Sequence, residues 1–152
     1  VTEAKKEVRR AYIHDAEDLA RLNEVFNGVV MTPEEVRDSL LRSNELVAIA
    51  VLNGNTVGYA CAQYFESFCY HEKHGYLTEM FIEESARGRG LATMLMAHIE
   101  DELRTRGVSE VSVLTGADNE IAIKAYERFQ YVRQADAVLQ KTLPGKSSKP
   151  SE

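Results

Sequence analysis

The chain has 152 residues and a mass of 17.1 kDa, the length of one domain. A composition of 44% hydrophobic and 28% charged residues excludes wholesale disorder. The net charge of −6 and pI near 5.3 exclude bulk binding to nucleic acid, which needs many phosphates neutralised.

Two cysteines, Cys61 and Cys69, are too few for a disulfide scaffold and are expected as buried or half-buried thiols. No stretch of about 18 apolar residues is present, so no membrane association is expected. The chain opens on Val1 with no apolar leader-like run, and a cytoplasmic location is the default expectation.

In chain order, residues 8–13 read as an opening strand. Leu19, Leu22, Val25 and Phe26 then repeat at helical spacing across residues 16–26. Thr32-Pro33-Glu34-Glu35 predicts a second helix start, with Thr32 as cap, Pro33 in the first turn and Glu35 placed for a capping box. That helix is expected to run to Ser43. Residues 46–52 and 56–65 are β-prone runs joined by Asn53-Gly54-Asn55, a strong hairpin signal. A polar loop over residues 71–75 leads to a strand over 76–82.

After a turn at 84–90, Leu91, Met94, Leu95, Ile99 and Leu103 mark one face of a long helix. Gly107 suits its stop. Residues 108–115 read as a strand, Asp118 or Asn119 caps a helix ending near Phe129, and residues 132–143 read as a last strand. The expected organisation is a flexible segment over 1–7, one domain over 8–143 and a disordered Pro/Gly/Ser/Lys tail over 144–152. The order β-α-α-β-β-β-α-β-α-β implies an α/β fold with a central mixed, mainly antiparallel sheet flanked by helices.

The most informative stretch is Arg87-Gly88-Arg89-Gly90-Leu91-Ala92, between a strand and a long helix. A helix N-terminus offers unpaired N–H groups and the positive end of its dipole to an anion. The two glycines permit close backbone approach, and the arginines add charge-assisted bonds. Neither a P-loop nor a dinucleotide fingerprint is present. A solvated Arg-Gly turn is the plain alternative.

Arg87-x-x-Gly90-x-Ala92 resembles the pyrophosphate-binding signature of the GNAT N-acetyltransferase superfamily. Asn119-x-x-Ala122-x-x-x-Tyr126-Glu127 is similar to that superfamily's C-terminal segment, and the element order is similar too. The likeness covers residues 8–143. It implies acetyl-CoA as acetyl donor, with the pyrophosphate on backbone N–H groups of Arg87, Gly88, Arg89, Gly90, Leu91 and Ala92. It implies backbone of Met80, Phe81 and Ile82 along the pantetheine arm, Asn119 on the same arm, and Tyr126 beside the sulfur as general acid. Gln130-Tyr131 stands where the family often has Gly-Phe. A left-handed turn there costs a non-glycine residue about 1 kcal/mol, so a different helix end is expected.

Acetyl transfer to an amine poses two proton problems. An amine of pKa about 10.4 is only ~0.04% neutral at pH 7, a handicap near 4.6 kcal/mol. The departing thiolate needs a proton, which a phenol at Tyr126 can give. Glu79 is the candidate base: it sits mid-strand among apolar neighbours, and some amine-acetylating members of the family carry a Glu there. It acts directly or through water; the plain alternative is a carboxylate that only orients substrate or pairs with a basic group. Glu83 and Glu84 read as solvated loop acids.

His71-Glu72-Lys73-His74 has the wrong spacing for the helical zinc motif, and no metal is expected. That segment borders the acceptor site in some members of the family. His98 reads as a half-buried structural histidine. Cys61 as a ping-pong nucleophile lacks a histidine partner, so direct transfer in a ternary complex is favoured. Tyr64, Phe65, Phe68 and Tyr70, with Glu66, Glu72 and Glu79, suggest a cationic primary amine: a polyamine, aminoglycoside or amino-acid-like molecule. A non-catalytic coenzyme A sensor, a protein-amine acetyltransferase and a longer-chain acyltransferase are the alternatives. A homodimer is left open.

Overall fold

The computed structural model describes residues 3–145. Its elements are β1 (Lys6–Arg10), α1 (Ala16–Asn27), α2 (Pro33–Arg42), β2 (Leu46–Leu52), β3 (Asn55–Phe65), β4 (Lys73–Ile82), α3 (Leu91–Thr105), β5 (Val108–Val113) and α4 (Glu120–Arg128). The five strands form one sheet in the order β1-β2-β3-β4-β5. Neighbours from β1 to β4 are antiparallel, and β5 joins β4 in parallel after the α3 crossover. This is the mixed, mainly antiparallel α/β sheet expected.

Strand alternation sends two sets of side chains to opposite faces. One face carries Ala48, Ala50, Ala60, Ala62 and Leu77 against Leu91, Leu95, Met96, Ile99 and Leu103 of α3. Small strand residues let the helix sit close, and each large α3 side chain contributes roughly 1.5–3 kcal/mol by leaving water. The other face carries Val47, Ile49, Tyr59, Cys61 and Phe81 beneath α1 and α2. Thr32 Oγ1 accepts from Glu35 N at 3.1 Å and starts α2 as expected; no return bond from the Glu35 carboxylate closes the box among the described residues. Asn53 and Gly54 both have positive φ (50° and 84°), which makes the β2–β3 connection a tight hairpin turn.

Several expectations are corrected. The first strand is Lys6–Arg10 rather than residues 8–13, so Lys6 and Glu7 belong to the sheet and pair with Leu52 and Val51. The hairpin tip extends this pairing, because Asn53 N donates to Lys5 O and Lys5 N donates to Asn53 Oδ1. Beyond Arg10 the chain is turned by Asp15. Its carboxylate accepts from Tyr12 N (2.8 Å) and receives both terminal nitrogens of Arg9 (2.8 and 2.9 Å).

β4 starts at Lys73, so His74 and Gly75 are strand residues rather than loop; Gly75 lies under α3, where a Cβ would meet Val108 Cγ1 at 3.0 Å. Cys61 is buried, but Cys69 is exposed. Residues 132–143 are not a strand: they are exposed, and no neighbouring strand receives their backbone. Gln130 does adopt the left-handed conformation (φ 71°), because Tyr131 N must turn back to Tyr126 O (3.1 Å). Of the tail expected to be disordered, residues 146–152 lie outside the described residues, as do residues 1 and 2 of the expected N-terminal segment.

Burial raises the proton affinity of the Asp15 carboxyl, but Arg9 and the Tyr12 N–H outweigh it and hold the pKa below the usual value. The pair therefore stabilises the fold at neutral pH, and that stabilisation is lost as pH falls through the lowered pKa. Asp15→Asn is expected to cost about 1–3 kcal/mol in urea unfolding at pH 7, with the gap to the parent narrowing in acid. Gln130→Gly is expected to raise stability by about 1 kcal/mol, read as a higher unfolding midpoint.

Candidate functional site

β4 and β5 pair from Lys73 to Leu77 and then separate, because β5 ends at Val113 opposite Leu77. Residues 78–82 keep a strand partner on the β3 side alone. Met80, Phe81 and Ile82, expected to meet the cofactor arm, thus lie on a strand with one edge open. Met80 packs toward the α3 face, and Phe81 toward the α1 face.

The gap leads to the turn before α3. Gly88 and Gly90 have φ of 76° and 82°, a conformation that L side chains rarely adopt, and a Cβ at either would meet nothing within 4 Å. Their role is conformation and close approach, not internal packing. Met94 N is the first to bond back into the turn, to Gly90 O, and no N–H of residues 88–93 has an acceptor among the described residues. Ala86 and Leu91, both buried, anchor the turn at its two ends.

Arg87 Nε donates to Ile82 O at 2.9 Å, so this side chain also ties the turn to the end of β4. Lys6 Nζ donates to Arg89 O from β1. Glu83 is paired with Arg21 of α1, which explains an acid at this place without chemistry. The turn is thus a braced cradle of free N–H groups at a helix N-terminus, which fits a pyrophosphate.

On the α1/α2 face, strand registry arranges three rows. Ile49, Tyr59 and Phe81 form one, and Val47, Cys61 and Glu79 the next. One step further, Leu46 pairs with Ala62 and Gln63 with Tyr76, which brings Glu45 beside Gln63. The Glu45 pKa is raised by burial and by the nearby Glu79 carboxylate, against a hydrogen bond from Gln63.

Burial, with Glu45 and Glu79 nearby, pushes the Cys61 thiol up, so it stays protonated and is a poor nucleophile. Tyr59 is pushed up mainly by burial, with Cys61, Glu79 and Glu45 adding to it, and its buried hydroxyl has no partner among the described residues. Phe65 and Tyr76, both exposed, stack at 5.8 Å beside His74, whose Nε2 is 3.0 Å from Ser112 Oγ.

Tyr126 comes from α4. It is half-buried, with its ring 5.9 Å from that of Tyr131, and its hydroxyl has no partner among the described residues. Burial and then Glu79 raise its pKa, so it stays protonated through neutral pH. Glu79 and Tyr126 are therefore within electrostatic reach of one another, although they are distant in sequence. Asn119 has another duty: its Oδ1 accepts from Ala122 N at 3.2 Å and caps α4, leaving its side-chain N–H₂ free to donate.

Sequence reasoning missed Glu45, Gln63 and Tyr59. The available signal was the period-two alternation of β2, which puts Glu45 in phase with Val47 and Ile49. Among the described residues no three His, Cys, Asp or Glu side chains are grouped to hold a metal ion. None of the described helices is long and apolar enough to cross a membrane.

The model of the acetyltransferase (GNAT) family matches residues 10–131. The chain belongs to the GNAT acetyltransferase family. It is an acyltransferase, and this family uses acetyl-CoA. An acetyltransferase of Yersinia pestis (strain Pestoides F) is 28% identical over 109 residues, covering 72% of this chain and 73% of that protein.

N-alpha-acetyltransferase 30 of Schizosaccharomyces pombe is 37% identical over 59 residues, 39% of each chain. Among solved structures, an aminoglycoside acetyltransferase from an uncultured soil metagenomic sample, in complex with sisomicin, superposes with a TM-score of 0.80. It is 16% identical, and the match covers 91% of this chain and 97% of that one. The aminoglycoside N-acetyltransferase AAC(6')-Iy in complex with CoA gives 0.79 at 18% identity, covering 93% and 97%. At these identities the likeness establishes the fold of this acetyltransferase.

Gly90→Val forces a branched side chain into a left-handed position. It is expected to weaken coenzyme A binding about tenfold by calorimetry, since the strain of about 1–2 kcal/mol opens the cradle.

Proposed function

We propose that this acetyltransferase moves an acetyl group from acetyl-CoA to a primary amine of a small cationic molecule, directly, in a ternary complex. The observation that carries this reading is the proximity of Glu79 both to Glu45 and to the Tyr126 phenol, whose hydroxyl has no partner among the described residues, beside the open edge of β4. Backbone N–H groups of Gly88, Arg89, Gly90, Leu91 and Ala92 would hold the pyrophosphate; the Arg87 N–H, expected among them, is donated to Glu84 O at 3.3 Å instead. The free edge of Met80, Phe81 and Ile82 would receive the pantetheine arm, and the Asn119 amide would donate to it. Bound acetyl-CoA supplies the acyl group as an activated thioester.

Glu79 takes the proton of the acceptor ammonium, directly or through a water. Tyr126 holds its proton at neutral pH and gives it to the departing sulfur. Glu45, one row away, attracts the same cation or a second ammonium on it. The stacked Phe65 and Tyr76 offer ring faces to such a cation. Direct transfer is supported by the state of Cys61, whose buried, protonated thiol cannot accept the acetyl group at a useful rate. Polyamines, aminoglycosides and amino-acid-like amines all fit this chemistry. The match to an N-alpha-acetyltransferase favours a second reading, with a protein N-terminus as acceptor.

The test is thiol release from acetyl-CoA across polyamines, aminoglycosides, amino acids and N-terminal peptides. Amine-dependent release with a diamine or polyamine supports the reading. Release with peptides alone moves the acceptor to protein, and none with any amine overturns both.

Tyr126→Phe is expected to lower kcat by about 100-fold or more and leave coenzyme A affinity unchanged. Because the Glu45 pKa is raised, its attraction for a cation is lost as pH falls through that raised value. KM for the amine should therefore climb in mild acid, and Glu45→Gln should raise KM at neutral pH and flatten that climb.

A further inference from the structure

Only 4% of the Tyr59 surface is exposed, yet its buried hydroxyl has no hydrogen-bond partner among the described residues. A hydroxyl taken out of water with nothing to donate to destabilises the fold, and a phenylalanine would avoid that cost. The ring itself is well packed, 6.5 Å from that of Phe26 in α1 and 6.2 Å from that of Phe81 in β4. Packing thus accounts for the ring and leaves the oxygen unexplained.

Strand register says what the oxygen can reach. Tyr59 pairs with Phe81 and Cys61 with Glu79, so Glu79 lies diagonally from Tyr59 on the same face of the β3–β4 pair. Diagonal neighbours of this kind are about 7–8 Å apart, a gap that aromatic and long side chains span. The phenol feels Cys61, Glu79 and Glu45, which sets its oxygen toward that row.

Three acceptors stand there. The Cys61 thiol stays protonated, and sulfur accepts weakly. Glu45 already has a hydrogen bond from Gln63. The Glu79 carboxylate is half-buried and takes part in no hydrogen bond or ion pair among the described residues. An orphan donor and an orphan acceptor therefore occupy diagonal positions on one face. Burial pushes the Tyr59 phenol up, so it keeps its proton, and remains a donor, through neutral pH. The other phenol near Glu79, Tyr126, comes from α4 and packs with the α3 face.

We infer that Tyr59 is a positioning residue for Glu79: in the ternary complex its hydroxyl donates to the Glu79 carboxylate and holds it toward the acceptor amine. Hydrogen bonds of this kind are often long in unliganded sites and tighten only when the substrates are bound. One carboxylate oxygen is then fixed by the phenol, and the other is left to take the ammonium proton. Tyr59 keeps its own proton throughout. The inference rests on the role proposed above for Glu79.

The test compares Tyr59→Phe, Glu79→Gln and the double variant, following thiol release with the most active amine of the panel above and urea unfolding of the unliganded proteins. Tyr59→Phe is expected to lower kcat about tenfold, with KM for acetyl-CoA and for the amine each changed less than about twofold. Its unfolding midpoint is expected to equal or exceed the parent's, since the substitution removes an unpartnered buried hydroxyl. Glu79→Gln is expected to be slower still, and adding Tyr59→Phe to it should cost nothing further, because the phenol acts through that carboxylate.

Unchanged kinetics in Tyr59→Phe beside a slow Glu79→Gln overturn the inference and leave the base in place. A loss that adds in full to that of Glu79→Gln overturns it too. So does a lowered unfolding midpoint, which would make the hydroxyl structural. A fully active Glu79→Gln, or no release with any amine, removes the base and the inference with it.

Discussion

Strand β4 has a neighbour on both sides from Lys73 to Leu77 and on one side only over residues 78–82. An open strand edge inside a sheet is costly unless something fills it, because its amides and carbonyls lose water without gaining partners. Much of the surrounding structure serves to hold this opening in shape. The α3 helix packs Leu91, Leu95 and Ile99 beneath it, Arg87 ties the turn to Ile82, and Lys6 reaches across from β1 to Arg89. The result is a slot that ends in a nest of free N–H groups, so the proposed cofactor surface is made mostly of backbone. That explains why so little of it is visible as side-chain chemistry.

The electrostatics on the other face follow from strand registry. Cys61 opposite Glu79, and Gln63 beside Glu45, bring two carboxylates together where water is partly excluded. Burial and the Glu79 carboxylate disfavour ionisation of Glu45, and the Tyr126 phenol feels Glu79 as well. A cation relieves this repulsion, whereas a neutral or anionic acceptor does not. The proposed preference for an amine thus rests on the unliganded sheet.

Much of this was legible in the sequence, for physical reasons. The turn residues Asn53-Gly54, the cap at Thr32 and the apolar stripe of α3 are local signals, and the structure has them at those positions. The Arg-Gly turn was legible because only glycines at 88 and 90 suit that backbone. What escaped was nonlocal. The role of Glu45 depends on a pairing that no window of sequence contains. Lys6 and Glu7 are hydrophilic and join the sheet only because the β2–β3 hairpin tip reaches Lys5.

Residues 132–143 show the reverse case. Their apolar pattern is strand-like, but a strand exists only where a partner receives it, and none of the described strands pairs with them. Gln130 shows tertiary demand overriding local preference, since the return of Tyr131 to Tyr126 imposes a positive φ on a residue that resists it.

The central claim is that the slot beside β4 and the N–H nest before α3 form one continuous cofactor site. Amide hydrogen exchange with and without coenzyme A tests it most directly. Protection gained at residues 80–82 and 88–93 together, with little change in β1 and β2, is the predicted result. Protection confined to other surfaces, or tight binding that leaves both segments exchanging as before, would contradict it.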